Sequence, residues 1–421
     1  MKVFKFGGAS VKDAQAVKNV VEIIQLYTSD LLVVISAMGK TTNSFEEVIN
    51  AYFNGDDYQS KVSEIYNFHQ AIIKDLGLEN DEAFLSLYRK FWEKLNAKLA
   101  EEPSSNYDFE YDQIVSYGEL FSTIVVSGYM NLQNIPNEWI DARKIVRTDN
   151  NFRSGTVDWE LTEALFKSKT GVIYQDNNQR NICITQGFIG HTDTGLTTTL
   201  GREGSDFSAG IAAYCLDAED VTIWKDVPGM LNADPKFFNN TEKLEKISFR
   251  EAIELSYYGA SVIHPKTIKP LQNKNIPLYV KSFMNPKDSG TTIQSNAAFD
   301  SLIPSFIFKE DQTLISITPR DFSFITEANM SEIFNAFDRI KLQVNLMQNS
   351  ALNFSICIDS NDQKVDQLMD QIGDKFAVKY NTNLELLTIR HHTDAVIKTL
   401  TGQKEILAEQ RTRQTARFVM R

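Results

Sequence analysis

A chain of 421 residues exceeds one ordinary domain, and 42% hydrophobic with 23% charged residues is the composition of a globular protein with more than one core. The formal net charge of −12 argues against sequence-independent nucleic-acid binding. The three cysteines (Cys183, Cys215, Cys357) form no C-x-x-C pair, so neither a zinc site nor a disulfide framework is indicated, and Cys183 and Cys215 read as core residues. No run resembles a signal peptide or is apolar enough to span a membrane, which leaves the cytoplasm as the expected location.

In chain order, Met1 to Phe6 reads as a strand and Gly7-Gly8-Ala9-Ser10 as a tight turn. Ala14, Val17, Val20, Val21 and Ile24 then recur at helical spacing. A strand, a Gly-Gly turn and a helix start aim free N–H groups at one point, and Lys5 stands where its ammonium reaches that point. The pattern is not a Walker A loop, since no Gly-Lys-Ser/Thr follows, nor the dinucleotide fingerprint, since the third glycine is missing; a structural turn explains Gly7-Gly8 equally well in isolation. Leu31 to Ile35 is continuously apolar, as a buried parallel strand requires. It runs into Ser36 and Thr42, at the strand end where open α/β sheets bind ligands; Thr42 or Asn43 as a helix N-cap is the plainer alternative.

Residues 44 to 105 read as a helical excursion, Ile114 to Met130 as a helix carrying Glu119, and Trp139 to Gly187 as strand, turn and strand. Thr197 to Asp206 is the densest polar run. It holds a fixed cation, two acids, two glycines and four hydroxyls in ten residues, a mixture suited to a small charged ligand close to backbone. A helix from Asp206 to Cys215, a strand from Val221 to Trp224, a helix from Phe249 to Gly259 and a strand from Ile276 to Ser282 complete a mostly parallel sheet covered by helices. Gln294 to Ser305 marks a boundary between residues 1–300 and 306–421. Beyond it, Thr313 to Tyr380 follows a β-α-β-β-α-β order, the ferredoxin-like arrangement.

Taken together, these segments resemble the aspartate kinases of the amino acid kinase family. Lys5-Phe6-Gly7-Gly8-Ala9-Ser10-Val11 is similar to that family's KFGGTSV. Tyr117-Gly118-Glu119, Asp141-Ala142-Arg143-Lys144, Thr185-Gln186-Gly187-Phe188 and Thr197 to Asp206 match its later signatures. Trp224-Lys225-Asp226-Val227-Pro228-Gly229, Ala233-Asp234-Pro235, His264-Pro265, Ser282-Phe283, Asn285-Pro286 and Gly290-Thr291 follow in order. The region after the boundary resembles the ACT regulatory module. A second module begins near Leu386, and the chain stops before its final helix and strand, which puts feedback control in doubt.

The resemblance implies phosphoryl transfer from ATP, with Mg²⁺, to the β-carboxylate of L-aspartate, giving 4-phospho-L-aspartate, the first step of lysine, threonine and methionine biosynthesis. It implies an aspartate site mainly in the N-terminal half of residues 1–300 and an ATP site mainly in 200–300. Arg202 would hold the α-carboxylate, Glu119 or Asp206 the ammonium group, and Ser36, Thr42 and Ser205 would position the substrate. Lys5, Gly7, Gly8 and Ser10 would cradle the phosphoryl group, with Lys5 and Asp206 the catalytic pair. Trp224, Lys225, Asp226, Met230, Leu231, Asp234, Pro235 and Lys236 would form the nucleotide segment, with core packing the plainer role for Trp224. No resident metal site is implied.

Asp206 as a helix cap and Glu119 as a surface acid remain alternatives. His264-Pro265 reads as a structural turn, and Arg411, Arg413, Arg417 and Arg421 as one solvated strand face. Ala9, Glu203, Lys225 and Ser261 depart from the family pattern; Lys266 is a candidate to replace the lysine absent at Ser261. A kinase acting on glutamate or an acylated amino acid, and an inactive amino-acid-sensing subunit, are the competing functions. The expected assembly is a homodimer or larger, with lysine, threonine, both or neither as effector.

Overall fold

Leu31–Ile35 consists of five fully buried apolar residues, a pattern only a central strand covered on both faces satisfies. In the computed structural model, which describes residues 1–171, 180–260, 263–402 and 404–421, this strand pairs in parallel with Lys2–Phe6 on one side and Ile182–Gln186 on the other. The described sheet has eight strands, in the order Glu138–Ile140, Ile182–Gln186, Leu31–Ile35, Lys2–Phe6, Asp220–Lys225, Leu278–Ser282, Thr291–Gln294, Lys246–Ser248. All neighbours are parallel except the pair Leu278–Ser282 and Thr291–Gln294. The carboxyl ends align: Phe6 sits opposite both Ile35 and Trp224, and Ile35 opposite Gln186.

Alternation along Lys2–Phe6 sends Phe4 and Phe6 to one face and Lys5 to the other. On the apolar face Trp224 stacks on Phe6 (centroids 5.9 Å apart, planes at 4°) and meets Phe4 edge-on at 5.6 Å. Each such ring pair adds about 0.5–1.5 kcal/mol beyond the burial of its surface. Trp224 is 1% exposed, so it is a core residue and no part of a nucleotide surface, contrary to its place in the nucleotide segment.

The helical excursion forms three helices, Thr41–Asn54, Gln59–Asp75 and Glu82–Leu99, followed by Tyr107–Val115 and Tyr117–Leu132. Residues Tyr117 to Met130 are all buried, so this helix runs inside the core. Trp92 stacks on Phe121 at 4.4 Å and wedges that helix against the excursion. Thr41–Asn54 begins at Lys40 without a side-chain cap, and Thr41, one residue before the expected capping threonine, bonds the Met38 carbonyl (2.6 Å). Thr42 is therefore not an N-cap.

Helices that escape the sequence pattern include Tyr107–Val115, Trp159–Thr170 and Pro265–Lys274. Trp159–Thr170 buries only Thr162, Phe166 and Thr170, and Asp158 caps it through the Leu161 N–H. Pro265–Lys274 starts on a proline, and His264 caps it by accepting from the Lys266 N–H (3.1 Å). The turn read at His264-Pro265 is thus a helix start. All three cysteines are buried, and none is in a disulfide.

The contacts divide the chain into two compact units. The first comprises Met1–Met230, Lys243–Ile253 and Val262–Ala297; the second comprises Leu231–Glu242, Glu254–Ser261 and Ala298–Arg421. The second unit is built on one described six-stranded antiparallel sheet, ordered Leu346–Asn349, Phe354–Asp359, Ser305–Pro319, Phe376–Arg390, Thr415–Met420, Ile406–Arg411. Helices Glu327–Arg339, Asp362–Ile372 and Asp394–Thr401 join it.

Ser305–Pro319 and Phe376–Arg390 are double-length strands, paired throughout with register shifts around Gln312. Left-handed residues at Asp311 and Asn383 mark where each passes from one ferredoxin-like half to the other. The second half thus includes a strand from ahead of the first: Ser305 to Lys309 pairs with Leu386 to Arg390. Arg417 is not on a solvated face: it is 7% exposed, donates from Nε to the Thr388 hydroxyl (3.2 Å) and lies 4.9 Å from the Tyr258 ring. Among the described residues no helix is long and apolar enough to cross a membrane.

Candidate active site

The first unit opens a cleft of about 530 Å³ beside the carboxyl edge of its sheet. Lys5, Ser36, Thr42, Glu119, Arg202, Ser205, Asp206 and Lys225 all line it. The two cations on which the sequence reading depends, Lys5 and Arg202, thus share one cavity.

Backbone proximity makes this possible. A Cβ on Gly8 would lie 2.7 Å from the Gly39 carbonyl oxygen and 2.8 Å from that of Ala37, so only glycine lets the two loops touch. A Cβ on Gly187 would fall 2.6 Å from that of Ser205, which is how the start of helix Gly204–Cys215 reaches the end of strand Ile182–Gln186. Gly8 to Val11 is a short 3₁₀ turn rather than the start of the following helix, which Asp13 caps. Ser10 is buried there, and its hydroxyl has no partner.

Lys5 leaves its strand on the face opposite Phe4 and meets Asp206, in the first turn of the helix, at 2.6 Å. Asp206 does not cap that helix: the N-cap is Glu203, without a side-chain bond. Lys225 reaches the other oxygen of Asp206 at 3.5 Å, so a lysine at this position adds a second cation to one carboxylate. Burial pushes the Asp206 carboxyl up, but Lys5 and Lys225 outweigh it and hold the group below its ordinary value.

Glu119 is the opposite case. It is 2% exposed, and burial drives its carboxyl up to about 8, against the downward pull of the Ala37 N–H and the Lys5 charge. Oε1 accepts from Ala37 (3.3 Å), while Oε2 is buried without a partner. Glu119 is therefore no surface acid. Glu203 also lines the cleft with a φ of 54° and a buried, unpartnered Oε2; the left-handed backbone explains why the family pattern places glycine there.

Tyr111, Arg153, Phe188 and Thr199 line the cleft without having been singled out as site residues. Thr199 is presented by a hairpin of Ile189–His191 with Thr197–Thr199, and buried Asp112 ties it down by accepting from its N–H (2.9 Å) and its hydroxyl (2.7 Å). Phe188 lies in the Thr185 to Phe188 signature, a visible signal with no role attached to it.

Of the nucleotide set, Lys5 and Lys225 alone line this cleft. Asp226 is exposed just past its strand, and Met230 is buried, with its N–H on the Thr291 hydroxyl (2.7 Å). Leu231, Asp234, Pro235 and Lys236 belong to the second unit, where Asp234 accepts from the Lys236 N–H (2.9 Å). Ser261 lies outside the described residues. Lys266 lines a separate cavity of about 460 Å³ with Trp159, Phe207 and Tyr214; its Nζ would come 3.9 Å from a Cβ on Gly201.

A model of the amino acid kinase family matches residues 1–282. Lysine-sensitive aspartokinase 3 of Escherichia coli (strain K12) is 30% identical over 363 residues, spanning 85% of this chain and 78% of that protein. The solved structure of E. coli aspartokinase III in complex with lysine and aspartate (T-state) superposes with a TM-score of 0.82 at 25% identity, over 100% of this chain and 95% of that one. The same enzyme with aspartate and ADP (R-state) gives 0.80, also at 25% identity, over 100% and 96%. The chain belongs to the amino acid kinase family, and within it to the aspartokinases.

Proposed function

We propose that the cleft phosphorylates the β-carboxylate of L-aspartate with ATP, producing 4-phospho-L-aspartate. The observation that carries this reading is the presence of Lys5 and Arg202 in one cavity together with an unpaired buried carboxyl, Glu119. A dicarboxylic amino acid needs a cation for each carboxylate and an acid for its ammonium group. Both Asp206 oxygens already face lysines, so Glu119, with Oε2 unclaimed, is the ammonium ligand and Asp206 the group that orders the cations. Arg202 takes the α-carboxylate, and Ser36, Thr42 and Ser205 orient the substrate. Lys5, with the Gly7-Gly8 turn and Ser10, neutralises the transferring phosphoryl group. Lys225 and Asp226, at the end of strand Asp220–Lys225, face the nucleotide.

The attacking carboxylate is ionised near neutral pH, so no general base is needed. Mg²⁺ enters on the triphosphate as part of the substrate. A coupled assay of ADP release with aspartate, glutamate and N-acetylglutamate tests the reading. Turnover with aspartate is expected; its absence overturns the assignment.

The pH dependence follows from Glu119. In the free protein its carboxyl titrates near 8, and an ammonium ligand needs it ionised. The KM for aspartate should therefore rise as pH falls from about 8.5 to 6.5, approaching tenfold per unit well below 8. Glu119→Gln should abolish that slope while raising KM throughout. For folding the sign is reversed: a raised carboxyl favours the native state at low pH and loses that contribution as pH rises through 8. A KM flat with pH in the wild type would exclude Glu119 as the ammonium ligand.

The ferredoxin-like halves of the second unit act as ACT-type regulatory modules, with lysine as effector. The fit to a lysine-bound aspartokinase structure supports this. The sheet edges Leu346–Asn349 and Ile406–Arg411 carry the exposed apolar side chains Met347 and Ile406, which supports pairing with a second copy as a homodimer.

A further inference from the structure

We propose that Arg153 is a second carboxylate ligand of the cleft, acting beside Arg202 and setting the affinity for a dicarboxylic amino acid; the inference rests on reading the cleft as the aspartate site. Arg153 lines the cleft together with Arg202. Its φ is 62°, in the left-handed region that glycine enters freely and an arginine enters only under strain. A strained backbone persists where the surroundings over-determine it, and here they do. The Arg153 N–H donates to Asp112 Oδ2 (2.8 Å), the same buried carboxylate that grips Thr199. The Arg153 carbonyl oxygen would come 3.2 Å from a Cβ on Gly201, so its loop abuts the one that carries Arg202.

The side chain is also placed. The guanidinium lies 4.4 Å from the centroid of Tyr111, a cleft residue whose hydroxyl donates to Glu46 Oε1 (2.7 Å). Its one ion pair among the described residues, Nη1 to Asp108 at 3.2 Å, is solvent-exposed at both ends. A pair of that kind is too weak to account for a left-handed arginine. It also occupies one of five N–H donors, leaving the guanidinium able to bind a carboxylate. A fork stacked on a ring is pre-ordered, so little freedom is lost when the ligand arrives.

Arg153→Gly is the informative change, because glycine adopts the same backbone without strain. The KM for aspartate should rise on the order of 10-fold, with a smaller change in kcat and none in the KM for MgATP. Thermal stability should stay level or increase. Calorimetric titration with aspartate alone should show the same weakening, without any need for turnover. Arg153→Lys, which keeps the charge and loses the fork, should fall between the two. Aspartate affinity within about twofold of the wild type in Arg153→Gly overturns the proposal. So does a loss shared equally by aspartate and MgATP with a lowered melting temperature, the signature of a structural latch. A wild type that neither binds nor phosphorylates aspartate overturns the reading of the cleft, whereas wild-type turnover with an unmoved variant KM overturns only the role of Arg153.

Discussion

Replacing Lys5 with methionine should lower kcat by roughly 10²–10³, the loss typical of removing one donor aimed at developing charge in the transition state. Methionine matches the length of the stem, and the strand position is otherwise untouched. The ammonium group is paired at 2.6 Å with buried Asp206, so the change also leaves that carboxylate with Lys225 alone, at 3.5 Å. Breaking a buried pair on one side costs about 3–5 kcal/mol of stability. Melting curves must therefore accompany the kinetics, and turnover must be expressed per folded molecule. Lys5→Arg, which retains a charge opposite Asp206, should keep most of the stability while losing much of the turnover, because the larger head displaces the phosphoryl group. A Lys5→Met protein that is folded and turns over within tenfold of the wild type would exclude Lys5 from phosphoryl stabilisation.

The second large effect is expected at Arg202. Arginine to alanine should raise the KM for aspartate by about 30-fold or more, since losing one partner of a desolvated, bidentate carboxylate pair costs about 2–5 kcal/mol. Arg202 is exposed at the cleft, which favours the lower end of that range. Thermal stability should hardly change, because no described ion pair of the folded chain uses this side chain. The KM for MgATP should also hold. Equal weakening of both substrates would mean that the loop Gly201 to Ser205, rather than its cation, had been disturbed. Lysine at this position should recover only part of the loss, as a point charge cannot offer two parallel donors.

The sequence was most readable where local chemistry leaves few choices. Continuous burial requires the apolar run Leu31–Ile35, and the Gly-Gly turn after Lys5 tolerates no side chain at Gly8. Such positions announce themselves because their neighbours in space are backbone, whatever the partner's identity. The helix Trp159–Thr170 was hidden for the converse reason: it buries two threonines and one phenylalanine, a face too polar to stand out. The strand Ser305–Pro319 was found only in its second half. Its first half pairs with Leu386 to Arg390, far away along the chain, and no local period reports such a pairing.

The candidate site divides in the same way. Lys5, Glu119, Arg202 and Asp206 were legible because each sits in a signature whose residue types match a small charged ligand. What each does once folded was not. Trp224 adjoins Lys225 in sequence, yet strand alternation turns it into the core while Lys225 reaches Asp206. Glu119 and Asp206 are both buried acids, and only their surroundings part them: two lysines hold one ionised, and an apolar helix pushes the other up to about 8.

By itself, then, the amino-acid order determined the strongly patterned elements, the family they imply and the residue types available to a charged substrate, because those follow from side-chain chemistry and short-range periodicity. Tertiary structure alone decided which carboxylate stays charged, which arginine beyond Arg202 enters the cleft and which strand completes the last sheet. Those outcomes depend on burial and on distances between segments remote in the chain, quantities that exist only once the chain has folded.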